Sequence, residues 1–77
     1  MTLQEYKIEN MLKIDTSYNG NLGVLQSNTN YSINTLNNLA NLELITKEQY
    51  EKYYNNIIEY FKSELKKVID KPFHYLG

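Results

Sequence analysis

Few groups in this chain could do chemistry: one histidine, nine carboxylates, eight lysines and no cysteine in 77 residues. His74 would act as a general base only with a nucleophile or an orienting acid beside it. Its nearest acid, Asp70, lies across Pro72 and no serine is close, so His74 reads as a solvated residue of the tail. Glu48, Glu51, Glu59 and Glu64 could in principle pair as acid and base. They alternate with lysines at helical spacing, which makes them members of solvated i,i+3 and i,i+4 pairs instead. Clustered metal ligands are missing from the sequence, and Gly20, Gly23 and Gly77 do not form a phosphate-binding loop. The expectation is a non-enzyme with no catalytic residue, no metal, no cofactor and no small-molecule substrate.

The charge balance argues in the same direction. The formal net charge is -1, and lysine supplies every positive charge, with no arginine to grip phosphate or guanine bidentately. A nucleic-acid reading remains as the alternative, with Lys62, Lys66, Lys67 and Lys71 of one helix on phosphate. Residues 46–77 carry six lysines against five acids, a weak footprint for that role. Eleven asparagines beside the lysine-only cations fit the AT-rich codons of a low-GC bacterial or phage genome. No run of about 18 apolar residues occurs, and Glu5, Lys7, Glu9, Lys13 and Asp15 break up the first fifteen positions. Neither a membrane span nor a signal peptide is expected, and the expected location is the cytoplasm.

What would position these groups is mainly helix, in one small domain covering residues 1–77. Thr46 and Gln49 are spaced as a capping box, with Ile45 ahead of it to staple onto Tyr50. Tyr50, Tyr54, Ile57, Phe61, Leu65 and Val68 then recur every three or four residues, which predicts a helix over about 47–70 with that stripe in the core. Asp70, Lys71 and Pro72 should end it. Ile33, Leu36, Leu39, Ala40 and Leu44 predict a shorter helix over about 33–43, and the short connection folds the two into an antiparallel helical hairpin. Thr2 and Glu5 form a second capping box at the head of a short N-terminal helix. Residues 12–26 admit two readings. Asn19-Gly20 between alternating Leu12, Ile14, Thr16, Tyr18 and Leu22, Val24 suits a β-hairpin, whereas Leu22, Leu25 and Thr29 suit a loop and an early start to the second helix.

Leu36, Leu39, Leu44, Ile45, Thr46, Glu48, Tyr50, Ile57 and Ile58 together resemble the short C-terminal domain family (SHOCT), over about residues 33–60. That family's pattern has spaced leucines, a Gly-Ile-Thr turn, an acidic residue, an aromatic and a closing apolar pair. Glu43 and Leu44 stand where the turn glycine belongs, and the second helix here continues past the family's usual end. The resemblance implies a two-helix module that mediates oligomerisation or docking.

Eight tyrosines are the unusual feature of the composition. On a helical wheel Tyr53 and Tyr60 flank the central stripe beside Lys67, while Ile58 and Ile69 extend the other flank, so the apolar arc spans about 180°. One short partner helix covers only part of it. The remainder is to be buried by the N-terminal segment, by a second copy or by another protein, and tyrosine suits an interface because it joins a rigid apolar face to a polar tip. The expected partner-binding residues are therefore Tyr53, Tyr60, Ile58, Ile69 and Lys67. The expected function is a protein–protein interaction module, as a homodimer or on a host protein, in the role of an adaptor, a self-assembling subunit or a phage-type inhibitor.

Overall fold

Thr2 opens the first helix in the computed structural model, which describes residues 2–69. Its hydroxyl oxygen accepts from Glu5 N–H at 3.1 Å and its own N–H donates to Glu5 Oε1 at 3.3 Å, starting α1 (Leu3–Leu12). Thr46 repeats the device: Gln49 N–H donates to Thr46 Oγ1 at 3.1 Å, Thr46 N–H donates to Gln49 Oε1 at 2.8 Å, and α3 (Lys47–Ile69) begins there. In both boxes, backbone donors that the helix leaves orphaned are satisfied by residues only three positions away.

Between them α2 runs Leu22–Asn41, so the helix expected at 33–43 begins near residue 22 instead. The described residues are mainly helical and include no strand, and the β-hairpin over 12–26 does not form. Its turn does. Asn19 (φ 52°) and Gly20 (φ 76°) are both left-handed, and Asn21 N–H donates to Tyr18 O at 2.9 Å. Asn21 then directs the chain into a helix: its side-chain oxygen accepts from Gly23 N–H at 2.9 Å and Val24 N–H at 3.2 Å and so forms the cap. From there Leu25, Thr29, Ser32, Leu36 and Leu39 are buried at helical spacing, a larger gain than an isolated two-stranded ribbon offers. Glu43, at φ 58°, ends α2 in a Schellman arrangement, with Glu43 N–H on Ala40 O and Leu44 N–H on Leu39 O, both at 3.0 Å.

The core draws Ile8 and Leu12 from α1, Ile14 and Tyr18 from the connecting stretch, Leu25, Leu36 and Leu39 from α2, and Tyr53 and Ile57 from α3. Thr29 and Ser32 are buried without penalty, because their hydroxyls donate to Leu25 O and Asn28 O on their own helix. Tyr50, near the start of α3, donates its hydroxyl to Asn37 near the end of α2 at 2.7 Å. Tyr18, just ahead of α2, reaches Glu64 late in α3.

The buried stripe of α3 is turned from the expected one. Tyr53, Ile57 and Glu64 are buried, Tyr50, Phe61 and Val68 pack partly against the core, and Tyr54 is 38% exposed. The cause is α1 and the stretch after it, which lie on the Tyr53 side and complete the burial there. The expected helix end at 70–72 and the tail residue His74 lie outside the described residues.

Candidate functional site

The five residues expected to bind a partner do not form one patch. Tyr53 is 3% exposed, so its place is the core under α1 and not a surface seam. Burial first, and then the carboxylates of Glu5 and Glu9, hold its hydroxyl above the usual tyrosine pKa. Tyr60, 39% exposed, stands at the rim of a shallow cleft of about 220 Å³ between α1 and α3, with Glu9, Leu12, Lys13, Tyr53 and Asn56. Ile58 is half-buried and Ile69 is 58% exposed, both on the other side of α3.

Going around α3 at about 100° per residue, the apolar arc passes from Tyr60 through Tyr53 and Ile57 to Phe61, Tyr54, Leu65, Ile58 and Ile69. The N-terminal segment covers this arc at Tyr53 and leaves Tyr60, at its first edge, 39% exposed. At the arc's far edge Tyr54 and Ile69 are exposed, and Ile58 and Leu65 between them are half-buried. Tyr54 is braced there by Tyr50, with ring centroids 6.1 Å apart and planes 19° apart, and Tyr50 is itself fixed by the bond to Asn37. A wide open depression adjoins this edge at the α2–α3 junction, around Asn37, Ala40, Ile45 and Tyr50.

Lys67 occupies the side opposite that edge and is engaged within the chain. Its Nζ lies 2.7 Å from Glu64 Oε2. Glu64 is not the solvated helix-surface acid expected from its neighbouring lysines: it is 6% exposed, and the Tyr18 hydroxyl approaches its other oxygen at 3.5 Å, the long end of hydrogen-bonding distance. The hydrogen bond to Glu64, and then the carboxylate's charge, hold the Lys67 ammonium above its usual pKa. Burial, and then the charge on Glu64, raise the Tyr18 hydroxyl. The signal was present in the sequence, because Glu64 stands seven residues after Ile57 and eleven after Tyr53 and therefore shares their face.

The contact of Tyr18 with Glu64 ties the turn ahead of α2 to the end of α3, while Lys67, on the same helix as Glu64, balances the carboxylate's charge. With Tyr18 and Glu64 both buried, this contact lies inside the fold and serves as a clamp. Among the described residues no three histidine, cysteine or carboxylate groups gather as a metal site, and no helix is long and apolar enough to cross a membrane. The chain matches no protein-family model, no curated protein and no solved structure.

Proposed function

We propose that this chain is a non-enzymatic protein–protein interaction module, with α2 and α3 as a rigid helical hairpin and the Tyr54, Ile58, Leu65 and Ile69 edge of α3 as its contact surface. The observation that supports this reading is the one-sided cover: α1 lies on the Tyr53 edge of a broad apolar arc, while large apolar side chains on the opposite edge remain half-buried or exposed. The occupant is a second copy of the chain, because a closed two-fold pairing is the commonest way for a small domain to bury such a face. The resemblance of residues 33–60 to a family of oligomerising or docking modules implies the same class of role. Adaptor, self-assembling subunit and inhibitor of a host protein are the forms that role takes. Of the lysines that nucleic-acid binding would use, Lys67 is already tied to Glu64.

Sedimentation of the unmodified chain beside an Ile58→Glu, Ile69→Glu variant tests this. The expected result is a dimer for the first and a monomer of undiminished helicity for the second. An unmodified chain that stays monomeric at every concentration, or a variant that dimerises as before, overturns the assignment of this edge.

A further inference from the structure

We propose that Asn19 is a site of spontaneous deamidation, and that isoaspartate formed there loosens the clamp between the turn ahead of α2 and α3. Of the eleven asparagines only Asn19 precedes a glycine; the residues after the others carry side chains that crowd the approach of their amide nitrogen. Location sharpens the difference. Nine of the others lie within α1, α2 or α3, and the tenth, Asn21, has its side-chain oxygen engaged by two N–H groups. Asn19 is exposed in the turn between helices, and among the described residues Gly20 N–H donates to no acceptor.

The Gly20 amide nitrogen attacks the Asn19 side-chain carbonyl carbon. A carbon–nitrogen bond forms, the side-chain nitrogen leaves as ammonia with the proton released from Gly20, and a five-membered succinimide remains. Water then opens either ring carbonyl, returning aspartate or, when the backbone carbonyl is cleaved, isoaspartate with an added methylene in the main chain. Water is the only co-reactant, and nothing is oxidised or reduced. Ring closure requires Asn19 to rotate out of its left-handed conformation, so the reaction runs through the opened turn.

The position gives the product a consequence. Tyr18 on one side is held in the core and against Glu64, and Asn21 on the other caps α2. The Asn21 N–H to Tyr18 O bond of 2.9 Å closes the turn between these fixed points. A main chain longer by one carbon cannot keep that ring and both anchors.

The test is incubation of the full chain in mildly alkaline buffer, with timed peptide mapping by mass spectrometry. The expected result is loss of unmodified Asn19 ahead of every other asparagine, with aspartate and isoaspartate as products, no loss in an Asn19→Gln chain, and a lower thermal midpoint for the isoaspartyl fraction than for an Asn19→Asp chain. Conversion of another asparagine first, or a stable Asn19 in native protein whose unfolded form converts, overturns the site. An isoaspartyl fraction as stable as the Asn19→Asp chain overturns the clamp.

Discussion

Glu43 carries a backbone conformation that its side chain does not favour. It sits at φ 58° just past α2, the position at which a glycine most often ends a helix, and it occupies the turn where the family resemblance would place one. A left-handed residue with a Cβ costs about 1–2 kcal/mol, while the added freedom that glycine brings to the unfolded chain returns about 0.4–1 kcal/mol. Glu43→Gly should therefore stabilise the protein by roughly 0.5–1 kcal/mol, read as a higher urea midpoint with an unchanged slope. Tyr53 and Tyr60 give the opposite lesson, since residue type and spacing treat them alike. Tyr53→Ala should cost about 3–5 kcal/mol, as for other large buried aromatics, and Tyr60→Ala under about 1 kcal/mol; equal losses in urea titration would contradict their placement. The site was legible in the sequence as an arc too wide for one partner helix. Which edge of the arc stays open was not, because a helical wheel orders residues around one axis and says nothing about where α1 will lie.

At the scale of the elements, the most legible signals are the local ones. Both capping boxes close within four residues, so Thr2 and Thr46 mark the starts of α1 and α3 without reference to the rest of the chain. The start of α2 is harder to read because two local preferences meet there. Asn19-Gly20 favours a ribbon and Asn21 favours a cap, and the burial of Leu25, a long-range contribution, favours the helix. The turn belongs to the ribbon reading of residues 12–26, but the chain otherwise follows the other one, a loop and an early start to the second helix with Leu25 and Thr29 buried. Asn21→Ala removes the acceptor for two N–H groups and should cost about 1 kcal/mol, with Thr46→Ala similar. In a domain of this size each would lower the thermal midpoint by about 4–8 °C. A loss at Thr46 with none at Asn21 would mean that packing alone starts α2.

At the scale of the whole molecule, the core of the described residues joins nine buried apolar side chains to one buried carboxylate, so the clamp at Glu64 should be visible in the pH dependence. Lys67, Tyr18 and Tyr53 all have pKa values raised by folding. The folded chain therefore holds these protons more tightly than the unfolded chain, and their contribution is complete below the unfolded values of about 10 and is lost as pH rises through the folded ones. Glu5 has the opposite sign. The Thr2 backbone N–H, and then its hydroxyl, lower its pKa, so its contribution is present above the unfolded value of about 4.3 and is lost as pH falls through the folded one. Urea midpoints should thus form a plateau with a decline above about pH 10. Glu64→Gln separates the clamp from the rest. It keeps the shape but removes the hydrogen-bonded charge that raises Lys67 and adds to the effect of burial on Tyr18, so the alkaline decline should become shallower while the part due to burial of Tyr18 and Tyr53 remains. The accompanying loss at neutral pH should be small, because Lys67 is largely in solvent and its pairing with Glu64 is screened there. An alkaline limb of the same depth in the Glu64→Gln chain would assign the whole decline to tyrosine burial and leave the clamp without an energetic role.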